Sequence, residues 1–452
     1  MTRYVAIHGH AYQPPRANPI TGRVDVQPSA APFHDWNERI TSECYRPLGS
    51  ARIDGVTDAA DRELNLWNRV NFDLGPTLGV WFDESAPDVA ELLVGGDAET
   101  HNGIAHPFVH AILPLASPTD RELCIRWGLA EFETRFSRST DGMWFPETAL
   151  NTATLECARD CGVTWTLVAP HQVRLANGHP VDHRVVRTVL PSGRWFDLVP
   201  YDGGLSHGIA FGELLDDGVR LAQFLGDAGR ADDLVVAATD METFGHHHRF
   251  GEMALAKAVD ELDRRRGVKL VTVDWYLRHV TPREKGVLVE NTSWSCAHGV
   301  ERWRSNCGCR FESGTDQSWR APLRDCLNQF TELCAAVFDD RAGETFSDPC
   351  AARLALGPVV GASPATRDER WREFVERYVV GDHETARRWV NAELLRLEAW
   401  SSCAWFFDTT DRIEIQQVLN EALAAAAIYD ELASTGLHEW LTAALDAANL
   451  RA

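Results

Sequence analysis

From its first residues to about position 290, the chain alternates short β-rich runs with stretches of helical spacing, and several runs end in polar or special residues. The runs fall at residues 4–8, 142–145, 164–168, 195–200, 234–239 and 270–273, with helical patterns at 119–136, 152–161, 206–225 and 251–266. Strands that alternate with helices predict an α/β fold built on a parallel sheet or barrel. In such folds ligands sit beyond the C-terminal ends of the strands, where the following loops share one mouth. The ends here are His8-Gly9-His10, Pro146-Glu147-Thr148, Tyr201-Asp202-Gly203-Gly204 and Asp240-Met241-Glu242. Residues 13–89, rich in Pro, Asn and Trp, read as a long insertion walling the cleft. Beyond about residue 310 the strand signals stop. Residues 321–338, 371–400 and 413–432 carry apolar residues at helical spacing, with a loop at 341–367, so a C-terminal helical bundle is expected. The predicted organisation is a catalytic body over 1–310 and a helical domain over 311–452 that completes the cleft.

Charge limits the partners. The chain has 452 residues, with 44 Lys+Arg against 66 Asp+Glu and a net charge of −22. Nucleic acid is excluded as the main partner, because phosphate binding needs a basic stripe and the longest basic run is Arg264-Arg265-Arg266, read as a helix end. No apolar stretch approaches the roughly 20 residues that span a bilayer, so no membrane partner is expected. The start shows no secretory pattern, which predicts a cytoplasmic protein. Eleven cysteines, an odd number, predict reduced thiols. The high counts are 17 His and 16 Trp, donors and aromatic faces of the kind a carbohydrate cleft uses.

Three motifs carry chemistry. In Gly142-Met143-Trp144-Phe145-Pro146-Glu147-Thr148 a strand delivers Glu147 behind a proline that fixes the backbone, and Trp144 is placed to support a sugar ring. In Thr239-Asp240-Met241-Glu242, followed by His246, His247 and His248, two carboxylates and three imidazoles crowd one strand end. In the third, alternation puts His8 and His10 on one face of the first strand, ahead of Gln13. Glu147 and Asp240 are the minimum equipment for glycoside hydrolysis, one carboxylate attacking and one carboxyl protonating the leaving oxygen. Charge from Glu242 would keep the acid protonated. A metal-dependent hydrolase or deacetylase using His8, His10, Asp240 and His246–His248 is the second enzyme class, and a glucan-binding protein without catalysis is the third. Cys296, His298, Cys307 and Cys309, with Cys403, match no standard zinc spacing and read as small buried residues at a tight turn. No metal or cofactor is expected.

The chain resembles glycoside hydrolase family 57, the retaining enzymes active on α-glucans, and within it a branch with a poorly characterised domain. The resemblance rests on the three motifs above together with Asn71-Phe72-Asp73-Leu74-Gly75-Pro76, Glu290-Asn291-Thr292-Ser293-Trp294-Ser295 and Ser401-Ser402-Cys403-Ala404-Trp405-Phe406-Phe407-Asp408, all in the family's order. It implies an incomplete (β/α)7 barrel followed by a helical bundle, with Glu147 as nucleophile and Asp240 as general acid/base. It also implies that His8, His10, Gln13, His110, Trp144, Glu242, His246, Trp294, Trp405 and Asp408 bind an α-glucan or oligosaccharide. Met241 and Phe145 stand where that branch usually has Gly and Leu, and residues 95–106 depart from its Gly-His-Gly-Asn pattern. Both single substitutions neighbour a catalytic carboxylate, so a change in cleft shape is expected.

Overall fold

The computed structural model describes residues 2–53, 62–181, 183–280 and 283–450. At its centre lies the strand Arg3–Ala11. Leu234–Asp240 runs parallel on one side, with Tyr4 opposite Leu234 and His10 opposite Asp240. On the other side, Asn71–Leu74 pairs with the second half of the strand and Val268–Leu270 with the first. The parallel array continues through Gly103–Ile104, single bridges at Gly142 and Met143, then Trp165–Val168 and Trp195–Pro200. Among the described residues no ladder joins Trp195–Pro200 to Leu234–Asp240, although Asp202 N donates to Val236 O at 2.7 Å. The result is an α/β fold with a parallel sheet that stops short of closing, followed by a helical region.

Period-two alternation decides what each strand contributes. Val5 and Ile7 pack outward with Val235 and Ala237 against helices such as Gly251–Arg264. Ala6 points inward with Val236, Ala238, Leu167 and Trp144. Extending the inward row toward the strand ends adds His8 and His10 from one strand and Asp240 from its neighbour. Both faces are covered, as a parallel sheet requires.

Several expectations are corrected. Residues 13–89 are more than an insertion, because Asn71–Leu74 is a central strand and the helix Pro76–Ser85 follows it. The strand escapes a hydrophobicity reading because Asn71 and Asp73 are polar though 2% and 0% exposed. Asn71 Oδ1 accepts from Val273 N at 2.9 Å, which explains its burial. Residues 54–61 of that stretch lie outside the described residues. The run at 270–273 ends as a strand at Leu270, and Val273 opens a helix capped by Thr272, whose hydroxyl accepts from Trp275 N at 3.0 Å. The helical stretch 371–400 is two helices, Arg367–Tyr378 and His383–Glu398, parted near Gly381 and restarted by Asp382 accepting from Thr385 N at 2.8 Å. The stretch 206–225 likewise divides into Gly203–Ala210 and Gly218–Asp227, the second capped by Asp217. The loop at 341–367 holds two short helices, Pro349–Leu354 and Gly357–Val360.

One hydrophobic core runs from Phe108, Phe145 and Phe196 of the barrel into Trp389, Trp405 and Leu419 of the helical part. The change near residue 310 is therefore one of secondary structure, and the two parts share an interior.

Candidate active site

The inward row ends in a charge array. Each oxygen of Asp73 meets one imidazole, His8 Nε2 at 3.0 Å and His10 Nδ1 at 2.8 Å. Burial would lower the pKa of His10, but the charge and hydrogen bond of Asp73, with Asp240 and Glu242 nearby, lift it to about 9. Asp73, despite its own burial, is drawn down to about 2 by the two histidines. His10 is thus an imidazolium at neutral pH. Its Nε2 donates to His110 Nε2 at 3.2 Å, since burial and the His10 charge hold the pKa of His110 far below the usual value. His110 then keeps its proton on Nδ1 and donates to Ser402 Oγ at 2.6 Å. The proton positions follow from this network.

Glu147 stands on a forced turn. It and Thr148 both adopt left-handed backbone, φ 58° and 49°, a region that costs non-glycine residues about 1–3 kcal/mol each. The turn is held by Thr148 Oγ1 donating to Gln172 Oε1 at 2.8 Å, Gln172 Nε2 to Thr148 O at 2.7 Å, and Trp294 N to Glu147 O at 3.0 Å. Glu147 Oε2 accepts from Trp294 Nε1 at 3.0 Å and from Ser295 Oγ. Burial raises its pKa, and those two donors with the charges of Arg302 and His10 work against the rise. No donor among the described residues reaches Asp240. Burial first, then the charge of Glu242, push it up to about 7, with His10 opposing and Glu147 adding. Glu242 Oε1 accepts from Gln13 Nε2 at 3.0 Å and from Tyr45 OH.

Glu147, Asp240 and Glu242 line one cleft of about 800 Å³ together with His10, Gln13, His110, His246 and Trp294. The other four residues assigned to substrate stand elsewhere. His8, 0% exposed, lies behind the wall as an Asp73 ligand. Trp144 is equally buried and stacks under His8 and His10 at 5.0 and 5.1 Å, so it backs the imidazoles and no sugar reaches it. Trp405 is a core residue whose Nε1 donates to Arg320 O at 3.1 Å; its neighbours Phe406 and Phe407 reach the cleft. Asp408 accepts from Phe311 N, at 2.9 Å, and Glu312 N, at 2.7 Å, and so shapes the loop carrying Phe311. Met241 packs behind Gly9, where an added Cβ would meet its Cε at 2.4 Å, and Phe145 is fully buried. Both departures from the branch pattern therefore face the core.

Asp73, Tyr45, Ser295 and Arg302 were missed by sequence reasoning. Asp73 had a signal, a lone aspartate between Phe72 and Leu74, and Ser295 had one in its place beside Trp294; Tyr45 and Arg302 had none.

The metal-hydrolase ligand set is not brought together. His246 Nδ1 pairs with Glu43 at 2.5 Å and His248 Nε2 meets Ala210 O at 2.9 Å. Among the described residues two donor groups converge: His10, His106 and His110, and, just past Ser295, Cys296, His298, Cys307 and Cys309. In the first, His10 commits both nitrogens to Asp73 and His110, and as an imidazolium it has no lone pair to give.

A domain of unknown function, DUF3536, matches residues 316–450. No curated protein matches the sequence. Among solved structures, an exo-type maltose-forming amylase from Pyrococcus sp. ST04 superposes with a TM-score of 0.73 at 15% identity, over 100% of this chain and 82% of that one. A GH57 branching enzyme from Thermococcus kodakaraensis gives 0.62 at 12% identity over 98% and 94%. An α-amylase from Thermotoga maritima gives 0.59 at 14% over 100% and 97%. At these identities the likeness is one of fold. The model of glycosyl hydrolase family 57 matches residues 24–289, more than half of the sequence, and on that match the chain belongs to glycosyl hydrolase family 57.

Proposed function

We propose that the protein is a retaining enzyme acting on α-glucosidic bonds of α-glucans or maltooligosaccharides, of the amylase or 4-α-glucanotransferase type, with Glu147 as nucleophile and Asp240 as general acid/base. The observation that carries this reading is the unequal dressing of two carboxyl groups in one cleft. Glu147 receives two hydrogen bonds on Oε2, which favour the anion, while among the described residues Asp240 receives none and stands near pKa 7, where it can hold a proton. In the first step Glu147 bonds to the anomeric carbon as the glycosidic C–O bond breaks, and the Asp240 proton passes to the leaving oxygen. In the second, Asp240, now a carboxylate, takes a proton from water or a sugar hydroxyl, which displaces Glu147 and restores both groups.

Exposed aromatic rings support an extended, neutral substrate. Phe211 and Phe311, 80% and 62% exposed, line the cleft and offer apolar faces to sugar rings. No described helix is long and apolar enough to cross a membrane. Eleven free cysteines accord with the reducing, cytoplasmic setting we propose.

The test is incubation with maltoheptaose, amylose, pullulan and glycogen, with products resolved by size and anomeric form. A ladder of shorter chains or a redistribution of lengths, with retained configuration, is expected. Glu147→Ala and Asp240→Asn should each abolish turnover in a folded protein. Full activity in either variant, or tight maltooligosaccharide binding by the wild type with no cleavage or transfer, would overturn the assignment.

A further inference from the structure

Directly after Trp294 and Ser295, which hold Glu147, the chain reaches Cys296 and His298, then turns through the short helix Glu301–Trp303 to Cys307 and Cys309. Gly299 and Gly308 supply the positive φ, 83° and 86°, that these two reversals use. The folding brings four donors to one point. Cys296 Sγ lies 3.9 Å from Cys307 Sγ and 3.8 Å from Cys309 Sγ, and Cys309 Sγ lies 3.5 Å from His298 Nδ1. All four donor atoms fall within 4.8 Å of one another.

These separations exclude one reading and fit another. A disulfide needs its sulfurs about 2.05 Å apart, and all three cysteines are free. A tetrahedral zinc with Zn–S of about 2.3 Å and Zn–N of about 2.0–2.1 Å has edges of roughly 3.8 Å between sulfurs and roughly 3.5 Å between sulfur and nitrogen. The two sulfur–sulfur distances and the sulfur–nitrogen distance above match those edges, and the remaining separations stay within 4.8 Å. Backbone groups of His298 and Arg302 hydrogen-bond to Cys296, and that of Ala297 to Cys309, as thiolate ligands require. Charge agrees as well. Three thiolates and a neutral imidazole around a dication leave one negative charge. Buried Arg302 and Arg320 have no carboxylate within ion-pair distance among the described residues, and Arg320 Nη1 donates to Cys309 O at 3.0 Å.

We propose that Cys296, His298 through Nδ1, Cys307 and Cys309 form a closed Cys3His site for a structural zinc ion. Four protein ligands leave no open position for substrate or water, so the ion takes no part in the chemistry. Its position gives it a role. It clamps the loop whose Trp294 and Ser295 hold the Glu147 carboxylate, and through Arg320 it ties that loop to the helix Arg320–Arg341 and to Phe407, whose carbonyl accepts from Arg320 Nη2 at 3.2 Å. His298 is exposed, which leaves the ion a path in from solvent. The sequence spacing, Cys-x-His followed by Cys-x-Cys, hides the site because its two halves are separated by the Glu301–Trp303 turn.

Elemental analysis of tag-free wild-type protein, grown with zinc and purified without chelator, should find about one zinc per chain. In Cys350→Ser protein, which lacks the exposed thiol, titration with a mercurial should release the zinc in step with modification of three thiols. Cys307→Ser/Cys309→Ser should retain less than roughly a tenth as much, while Cys350→Ser, at an exposed cysteine outside the cluster, should retain all of it. Because the double variant can fail to fold, the wild type is also to be exchanged with cobalt. Thiolate-to-cobalt charge transfer and tetrahedral d–d bands are expected. In zinc-depleted protein, hydrogen exchange should quicken over residues 290–320 and stay unchanged over 234–240. Wild type that carries no zinc and takes up no cobalt, or a folded double variant that keeps its zinc, would overturn the site.

Discussion

Glu242 offers a direct test of how Asp240, the proposed acid, is tuned. Asp240 stands about three pH units above the ordinary 3.8, which corresponds to roughly 4 kcal/mol of preference for its protonated form. Burial is the largest cause and the charge of Glu242 the second. At an effective dielectric of about 20, two like charges repel by about 4 kcal/mol at 4 Å and by about 2 kcal/mol at twice that separation, so the Glu242 charge counts for roughly 2 kcal/mol. Glu242→Gln keeps an oxygen to accept from Gln13 and Tyr45 and removes only the charge. Losing a like charge makes Asp240 easier to ionise, so its pKa falls, by roughly one to one and a half pH units. The acid must be protonated for the first step, so activity is lost as pH rises through its pKa. The alkaline limb of kcat/KM, expected near pH 7 in the wild type, should move to about 5.5–6 in the variant. At pH 7 the variant should be roughly tenfold slower; near pH 5 the two should converge. Carboxyl 13C NMR of aspartate-labelled protein reads the same midpoint without substrate. An alkaline limb that stays put, or a loss of equal size at every pH, would refute the reasoning, the second outcome meaning that Glu242 acts only by contact with substrate.

Trp294→Phe removes one of two donors to Glu147. A hydrogen bond to a charged group is worth about 1.5–3 kcal/mol, so the pKa of Glu147 should rise and the acid limb of the profile move up by roughly one to two pH units. Asp73→Asn takes away the charge that keeps His10 at about 9; histidine NMR should show the His10 midpoint falling, and the acid limb of kcat/KM should move up as Glu147 loses the His10 charge that opposes its protonation. Far from the cleft, buried Glu393 pairs with Arg353 at 2.5 Å and Arg396 at 2.9 Å. Glu393→Gln should cost roughly 3–5 kcal/mol in urea unfolding while kcat of the folded fraction is unchanged. In the wild type Glu393 is drawn from 4.5 down to about 2, so its contribution is complete above pH ~4.5 and is lost as pH falls toward 2.

What the sequence disclosed and what it hid follow one physical rule. Apolar runs that end in chemistry, such as Leu234–Asp240, were legible because burial writes itself as hydrophobicity and the reactive group sits just past it. Asn71–Leu74 was hidden because its buried positions are polar, each satisfied by a partner far away in sequence, Val273 for Asn71 and the two histidines for Asp73. The site divides the same way. Residues that enter the cleft from strand ends, Glu147, His10 and Asp240, were found from their motifs. Trp144 and Trp405 come from equally distinctive motifs yet are fully buried. A tryptophan beside a reactive residue is as apt to back that residue as to touch a sugar, and only the third dimension tells the two apart. Tyr45 and Arg302 act on carboxylates of other segments, and nothing in their own neighbourhood shows it, whereas Ser295 adjoins Trp294 in a recognisable motif.

The register of three strands accounts for the tuning of the site. His10 lies opposite Asp73 on one side and Asp240 on the other, and neighbouring strands are about 4.8 Å apart. The order of charges across the sheet is therefore fixed by backbone pairing: an anion drawn down to about 2, a cation lifted to about 9, and a carboxyl held near 7. Each depends on the one before it. Without Asp73, burial would strip His10 of its proton. Without the His10 cation, Asp240 and Glu147 would each lose a charge that opposes the rise burial imposes on them. A slip of one residue would turn His10 out of the inward row altogether. The sheet thus sets the charge order around Asp240, while the loop carrying Trp294 and Ser295 tunes Glu147 through its two hydrogen bonds.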